Sequence, residues 1–109
     1  MAGEMNRFDV YWANLDPATG VEIKKTRPVV IVSPDELNRH LGSVICAPLT
    51  SRLRNYPFRP LVTINGTQGQ VALDQIRALD KARLQKSIGR LHKEEQERVM
   101  SCLMELFAP

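Results

Sequence analysis

The stretch "KKTRPVVIVSPDE", residues 24–36, decides the fold. Its run Val29–Val32 is β-branched without alternation, which reads as a strand covered on both faces. Three cations, Lys24, Lys25 and Arg27, stand at the entrance of that strand, and Pro28 pushes Arg27 toward extended geometry. At the exit, Ser33, Pro34 and Glu36 match a capping box, so a short helix is expected next, stopped by Gly42.

Working outward, "FDVYWANL" (8–15) alternates like a half-buried strand, and "DPATG" (16–20) opens a loop that reaches Thr26. On the other side, "SVICAPLT" (43–50) reads as a second apolar strand and "SRLRNYP" (51–57) as a basic loop. The segment "FRPLVTIN" (58–65) alternates, but Pro60 cannot donate to a ladder, which places this strand at an edge or a bulge. Asn65-Gly66 and Gly69 mark a hairpin turn with "QVALDQIR" (70–77) as the return strand. "LDKARL" reads as one helical turn capped by Asp80, and "KSIGRL" as a closing strand. Val99, Cys102, Leu103, Leu106 and Phe107 then recur at helical spacing and define one apolar face of a terminal helix. The expectation is a mainly β, α+β domain over residues 1–109: a small antiparallel barrel or strongly bent sheet, with a short internal helix and an amphipathic C-terminal one. Pattern alone leaves an SH3-like barrel, an OB-fold and an α+β sandwich open.

Charge is unevenly distributed. Residues 24–90 hold twelve Lys and Arg against Asp35, Glu36, Asp74 and Asp80, whereas both ends of the chain carry more acid than base. A basic middle suits an anionic ligand such as nucleic acid, or simply a solvated surface. Cys46 and Cys102 sit in apolar contexts without metal or redox spacing and read as reduced core residues, so neither metal nor cofactor is expected. No apolar run approaches membrane-span length and the N-terminus lacks a signal-peptide core, which points to a cytosolic protein.

Several separated motifs coincide with one family. "FDVYWANLDPATGVE", "TRPVVIVSPDELN", "APLTS", "YPF" and "DQIRALDKARLQKSIGRL" occur in the order in which they stand in MazF/PemK toxin endoribonucleases, over roughly residues 6 to 107, and the chain resembles that family. The resemblance implies an SH3-like barrel that forms a homodimer. It also implies metal-independent cleavage of single-stranded RNA at short motifs, with messenger RNA as substrate, and neutralisation by a cognate antitoxin.

Metal-free RNA cleavage uses the neighbouring 2′-hydroxyl as nucleophile, giving a 2′,3′-cyclic phosphate and a 5′-hydroxyl. The protein must help remove that proton and stabilise a crowded phosphorane. His40, at the end of the short helix, and His92, before the terminal one, read as surface or cap residues. Arg27 offers a planar donor fork for phosphate oxygens, unless it is paired with Glu22 or Asp74. A guanidinium is a poor general acid in water, so its main role would be phosphorane stabilisation. Thr50, at the end of its strand, can hydrogen-bond a phosphate oxygen or the 2′-hydroxyl, or can serve as an ordinary turn hydroxyl.

The resemblance places Arg27 and Thr50 at positions that some members use catalytically. It puts Val21 and Ala72 where one branch has a histidine and an arginine, which removes that acid–base pair. Lys24, Lys25, Ser51, Arg52, Arg54 and Arg77 are candidate backbone-binding groups. Asp74 and Gln75 could read base edges, and Glu22 or Asp74 could accept a proton. Tyr56, Phe58 and Trp12 could stack on bases, although Trp12 and Phe58 also fit a core. Two other readings remain at this stage: a CcdB-like toxin that binds DNA gyrase without cutting, and a bare SH3-like RNA-binding module.

Overall fold

The computed structural model describes residues 4–109. Seven strands and two helices follow in the order β1 (Asp9–Asn14), β2 (Thr26–Ile31), α1 (Asp35–His40), β3 (Ser43–Thr50), β4 (Leu61–Ile64), β5 (Thr67–Val71), β6 (Arg77–Asp80), β7 (Leu84–Arg90) and α2 (Lys93–Phe107). The antiparallel sheet has the order β4-β5-β3-β2-β1-β7, and β6 pairs separately with β3. Asn65 Nδ2 donates to the Ile88 carbonyl at 3.0 Å, tying the β4–β5 hairpin back to β7 and bending the sheet into a half-barrel. The Asn65-Gly66 turn has φ of 51° and 79°, the positive pair a type I′ hairpin requires.

Strand β3 organises the whole. One of its edges pairs β2; the other pairs β6 over Ser43–Cys46 and then β5 at Leu49 and Thr50. Pro48 falls at this change of partner, where its missing N–H breaks no ladder, while its carbonyl accepts from Ala72 N–H at 2.8 Å. Two apolar clusters lie on opposite faces. Val10, Val30, Ala47, Leu49, Val62, Val71 and Val99 belong to the first, and Ala13, Val29, Ile31, Cys46 and Leu79 to the second. Strand alternation thus assigns every residue of β1, β2 and β3 to a known face.

Three expectations are corrected. Ser33 does not cap α1: the helix starts after Pro34 with no side-chain cap. The Ser33 hydroxyl is buried and instead donates to Asn38 Oδ1 (2.5 Å) and accepts from Ile45 N–H (3.0 Å), linking helix to β3. Residues 70–77 are not one strand. β5 begins at Thr67, ends at Val71 and gives way to a 3₁₀ turn, Leu73–Gln75, before β6 returns to β3. Gly69 lies inside β5 rather than in the turn, and a Cβ there would stand 3.1 Å from the Thr50 carbonyl oxygen.

Helix α2 is anchored by its first turn. His92 N–H donates to Glu95 Oε1 (2.9 Å), and the other oxygen of this buried carboxylate accepts from Thr63 N–H (2.8 Å). Val99 is fully buried, with Cys102 and Leu103 packed beside the first cluster. Met104, Leu106 and Phe107 stay exposed, so only the N-terminal half of the apolar stripe is used within the chain.

Candidate active site

The β2–β3 register pairs Val29 with Pro48, and carrying it two residues further sets Arg27 opposite Thr50. Thr50 is itself paired with Gln70 on β5, and Arg27 with Ala13 on β1. Directly opposed residues share a face with Cβ atoms about 5 Å apart, which holds for Thr50 and Gln70; Arg27 falls on the same side, that of the second cluster, just past the last β2–β3 pair.

No carboxylate among the described residues neutralises Arg27. The ion pairs among the described residues are Arg59–Asp74 and Arg90–Asp9, so neither Glu22 nor Asp74 orients Arg27 as the sequence had allowed. Its Nε donates to the Lys24 carbonyl at 3.0 Å, which fixes the plane of the guanidinium and leaves both terminal nitrogens for a ligand. The Lys24 and Lys25 side chains are exposed, and Lys25 adopts φ of 70° with its N–H donating to Asp16 Oδ1 at 2.9 Å.

Thr50 is 8% exposed, and its Oγ1 accepts from Arg52 N–H at 3.1 Å. The turn role considered from sequence is therefore real, and it has a chemical consequence. Accepting that bond leaves the hydroxyl proton uncommitted and able to donate elsewhere.

Two loops flank Arg27 and Thr50. The 51–60 loop carries Ser51, Arg52, Arg54 and Tyr56, all exposed. It is held by Gln70, only 4% exposed, whose Oε1 accepts from Arg54 N–H (2.7 Å) and whose Nε2 donates to the carbonyls of Arg54 (2.7 Å) and Arg59 (2.8 Å). Arg59 also binds Asp74 through two parallel bonds of 2.9 Å. The hydrogen bond from Arg59 holds the Asp74 carboxyl below its ordinary value, against the opposing effect of burial. Tyr56 and Phe58 stack on each other with centroids 5.2 Å apart, and the Arg59 guanidinium sits over the Tyr56 ring.

The 16–25 loop is held by Gln75, whose Oε1 accepts from Ile23 N–H (2.7 Å), and by Arg83, which donates to the Asp16 carbonyl (2.8 Å). Beside the 16–25 loop lies a cavity of about 460 Å³ lined by Val21, Glu22, Pro48, Asp74, Gln75 and Arg77, among others, whereas Lys25, Arg27, Thr50 and Ser51 line a separate groove. The predicted residues are thus divided between two openings, and several have altered duties. Asp74 and Gln75 are engaged internally, and Tyr56 and Phe58 stack on one another. Glu22, which accepts from Thr19 N–H at 2.7 Å, is the carboxylate of this cavity without a cation partner. Val21 is exposed at the cavity edge and Ala72 is buried.

Sequence reasoning missed Gln70 and Arg59. A glutamine inside an apolar strand is a signal for a buried polar anchor, but the Arg59–Asp74 pair, fifteen residues apart, carries none. Burial drives the Cys46 thiol up to about 12, against nearby Arg77, in keeping with an inert core thiol. Among the described residues no three His, Cys, Asp or Glu side chains come together to hold a metal ion. No helix of the described residues is long and apolar enough to cross a membrane.

The sequence model for PemK-like, MazF-like toxins of type II toxin–antitoxin systems matches residues 6–107. Endoribonuclease MazF of Staphylococcus saprophyticus is 33% identical over 105 residues, spanning 91% of this chain and 88% of that protein. A crystal structure of MazF from Deinococcus radiodurans superposes with a TM-score of 0.85 at 27% identity, covering 96% of this chain and 97% of the other. An endoribonuclease from a mycobacterial species, solved with its cognate antitoxin, gives a TM-score of 0.83 at 25% identity, with coverages of 96% and 97%.

Proposed function

This chain belongs to the PemK-like, MazF-like toxins of type II toxin–antitoxin systems and is an endoribonuclease, and we propose that it cuts single-stranded RNA without a metal ion. The observation that carries this reading is the Arg27–Thr50 pair: a guanidinium held by one nitrogen and free at two, in one groove with a hydroxyl whose proton is uncommitted.

The 2′-oxygen attacks phosphorus, forming the O2′–P bond as P–O5′ breaks. Arg27 binds the non-bridging oxygens through its two free nitrogens and gains strength as charge builds on the phosphorane. Thr50 donates a further bond to the same oxygens. Glu22 accepts the 2′-hydroxyl proton, and the departing 5′-oxygen takes a proton from water. Lys24, Lys25, Ser51, Arg52, Arg54 and Arg77 supply contacts to the flanking backbone. Unstructured messenger RNA, whose unpaired bases are reachable, is the substrate class.

A homodimer is part of the same reading, because Met104, Leu106, Phe107 and Leu61 are apolar and exposed at the end of α2 and along edge strand β4. The antitoxin partner is an acidic segment, which suits the surplus of cations over residues 24–90.

The test is the chemistry of the ends. RNA incubated with the protein in EDTA should yield 5′-hydroxyl and 2′,3′-cyclic phosphate termini. Products bearing 5′-phosphates, or activity that vanishes on chelation, would refute the mechanism. Failure to cut any RNA would favour the gyrase-binding alternative.

A further inference from the structure

The half-barrel has a second opening, which reaches Arg27 and Thr50 at the ends of β2 and β3. Trp12 pairs with Pro28, and both continue the side of the sheet that bears Val10 and Val30, which is the interior of the half-barrel. At the mouth of that interior is a groove of about 490 Å³. Its floor is apolar, made by Pro28, Leu49, Ile64 and Ile88, and Gly69 deepens it by having no side chain. Trp12, 37% exposed, forms one wall. Alternation brings the hydroxyls of Thr26, Ser51 and Thr67 to the rim, and Lys25 stands beside them. Arg27 and Thr50 border this groove as well as the active face, so the ends of β2 and β3 are a shared edge.

An indole left half in water on an apolar floor, ringed by hydroxyls and a cation, fits a flat ring with polar edges that belongs to an anion. The groups first expected to read bases are otherwise engaged: Gln75 with Ile23, Asp74 with Arg59, Tyr56 with Phe58. Trp12 and Thr67 are not. We propose that this barrel mouth is a nucleobase subsite, in which Trp12 stacks one base of the RNA and the Thr67 hydroxyl meets its edge while the adjoining phosphate lies across Arg27. The proposal rests on the RNA-cleaving reading and adds a specificity site that adjoins the catalytic pair.

Trp12 is the only tryptophan in the chain, so its emission reports on this groove alone. Adding each of the four 5′-mononucleotides to the intact protein, with ribose 5-phosphate and inorganic phosphate as controls, should give saturable quenching by at least one nucleotide and by neither control. Thr67→Val, which keeps shape and strand propensity, should weaken the best nucleotide about threefold to tenfold and change which base neighbours the cut. Equal quenching by ribose 5-phosphate would overturn the base assignment. So would emission that responds only to protein concentration, the mark of a second copy over Trp12. Unchanged emission from a protein that still cuts RNA would overturn the subsite but leave the activity standing, whereas a protein that cuts no RNA would undo the activity itself.

Discussion

Replacing Gln70 with leucine should free the 51–60 loop while leaving the sheet in place. Leucine matches the volume of the buried side chain but removes three hydrogen bonds, to Arg54 N–H and to the carbonyls of Arg54 and Arg59. Each contributes about 0.5–1.5 kcal/mol net, and the loop can open to rehydrate its orphaned groups, so the cost is local. Taking the lower half of that range, the closed loop loses about 2 kcal/mol, or roughly 30-fold in its opening equilibrium. Trypsin reads this directly, because Arg52 and Arg54 lie in the exposed loop while the Arg59–Pro60 bond resists cleavage. When opening is fast relative to cutting, proteolysis tracks the open population, so cleavage after Arg52 and Arg54 should accelerate about 30-fold. The global melting transition should move by only a few degrees. A trypsin rate within threefold of the parent would show that Gln70 does not hold the loop, and the same loop should then leave RNA affinity unchanged.

Three further outcomes follow from the site. The Asp74 carboxyl is depressed by Arg59, so its contribution to loop anchoring is complete above the ordinary carboxylate value of about 3.9 and is lost as pH falls below it through the lowered value; amide exchange in residues 51–60 should rise there, and Asp74→Asn should abolish that rise. Glu22→Gln should lower kcat about 10²-fold with little change in KM, measured on a fixed RNA, whereas an effect confined to KM would make Glu22 a binding group only. Cys46, buried and with its thiol near 12, should resist alkylation of the native protein at pH 8 while Cys102 reacts; modification of Cys46 at a comparable rate would contradict the packing of β3.

Much of the fold was legible because its signals are local. Asn65-Gly66 imposed its hairpin through two positive φ angles, Asp80 capped its turn with a bond to Ala82 N–H, and the apolar period of residues 99–107 placed α2. The reading failed where tertiary demands outweighed local ones. Ser33 has the neighbours of a cap, yet a buried Asn38 and an unpaired Ile45 N–H take its hydroxyl. Gly69 looks like turn chemistry but serves close strand contact with Thr50. At the site, sequence located Arg27 and Thr50 as ends of strands, while their opposition depends on a β2–β3 register that no short window reveals. Asp74 and Gln75 were assigned to the ligand because their internal partners, Arg59 and Ile23, are brought to them only by the fold.

The most direct measurement is the single-turnover cleavage rate of one defined RNA in EDTA, for the parent chain, Arg27→Ala and Arg27→Lys. A bidentate guanidinium acting on the phosphorane predicts a loss of about 10²–10³-fold for alanine, with lysine failing to restore most of it. Cleavage by Arg27→Ala within threefold of the parent would contradict the account at its centre.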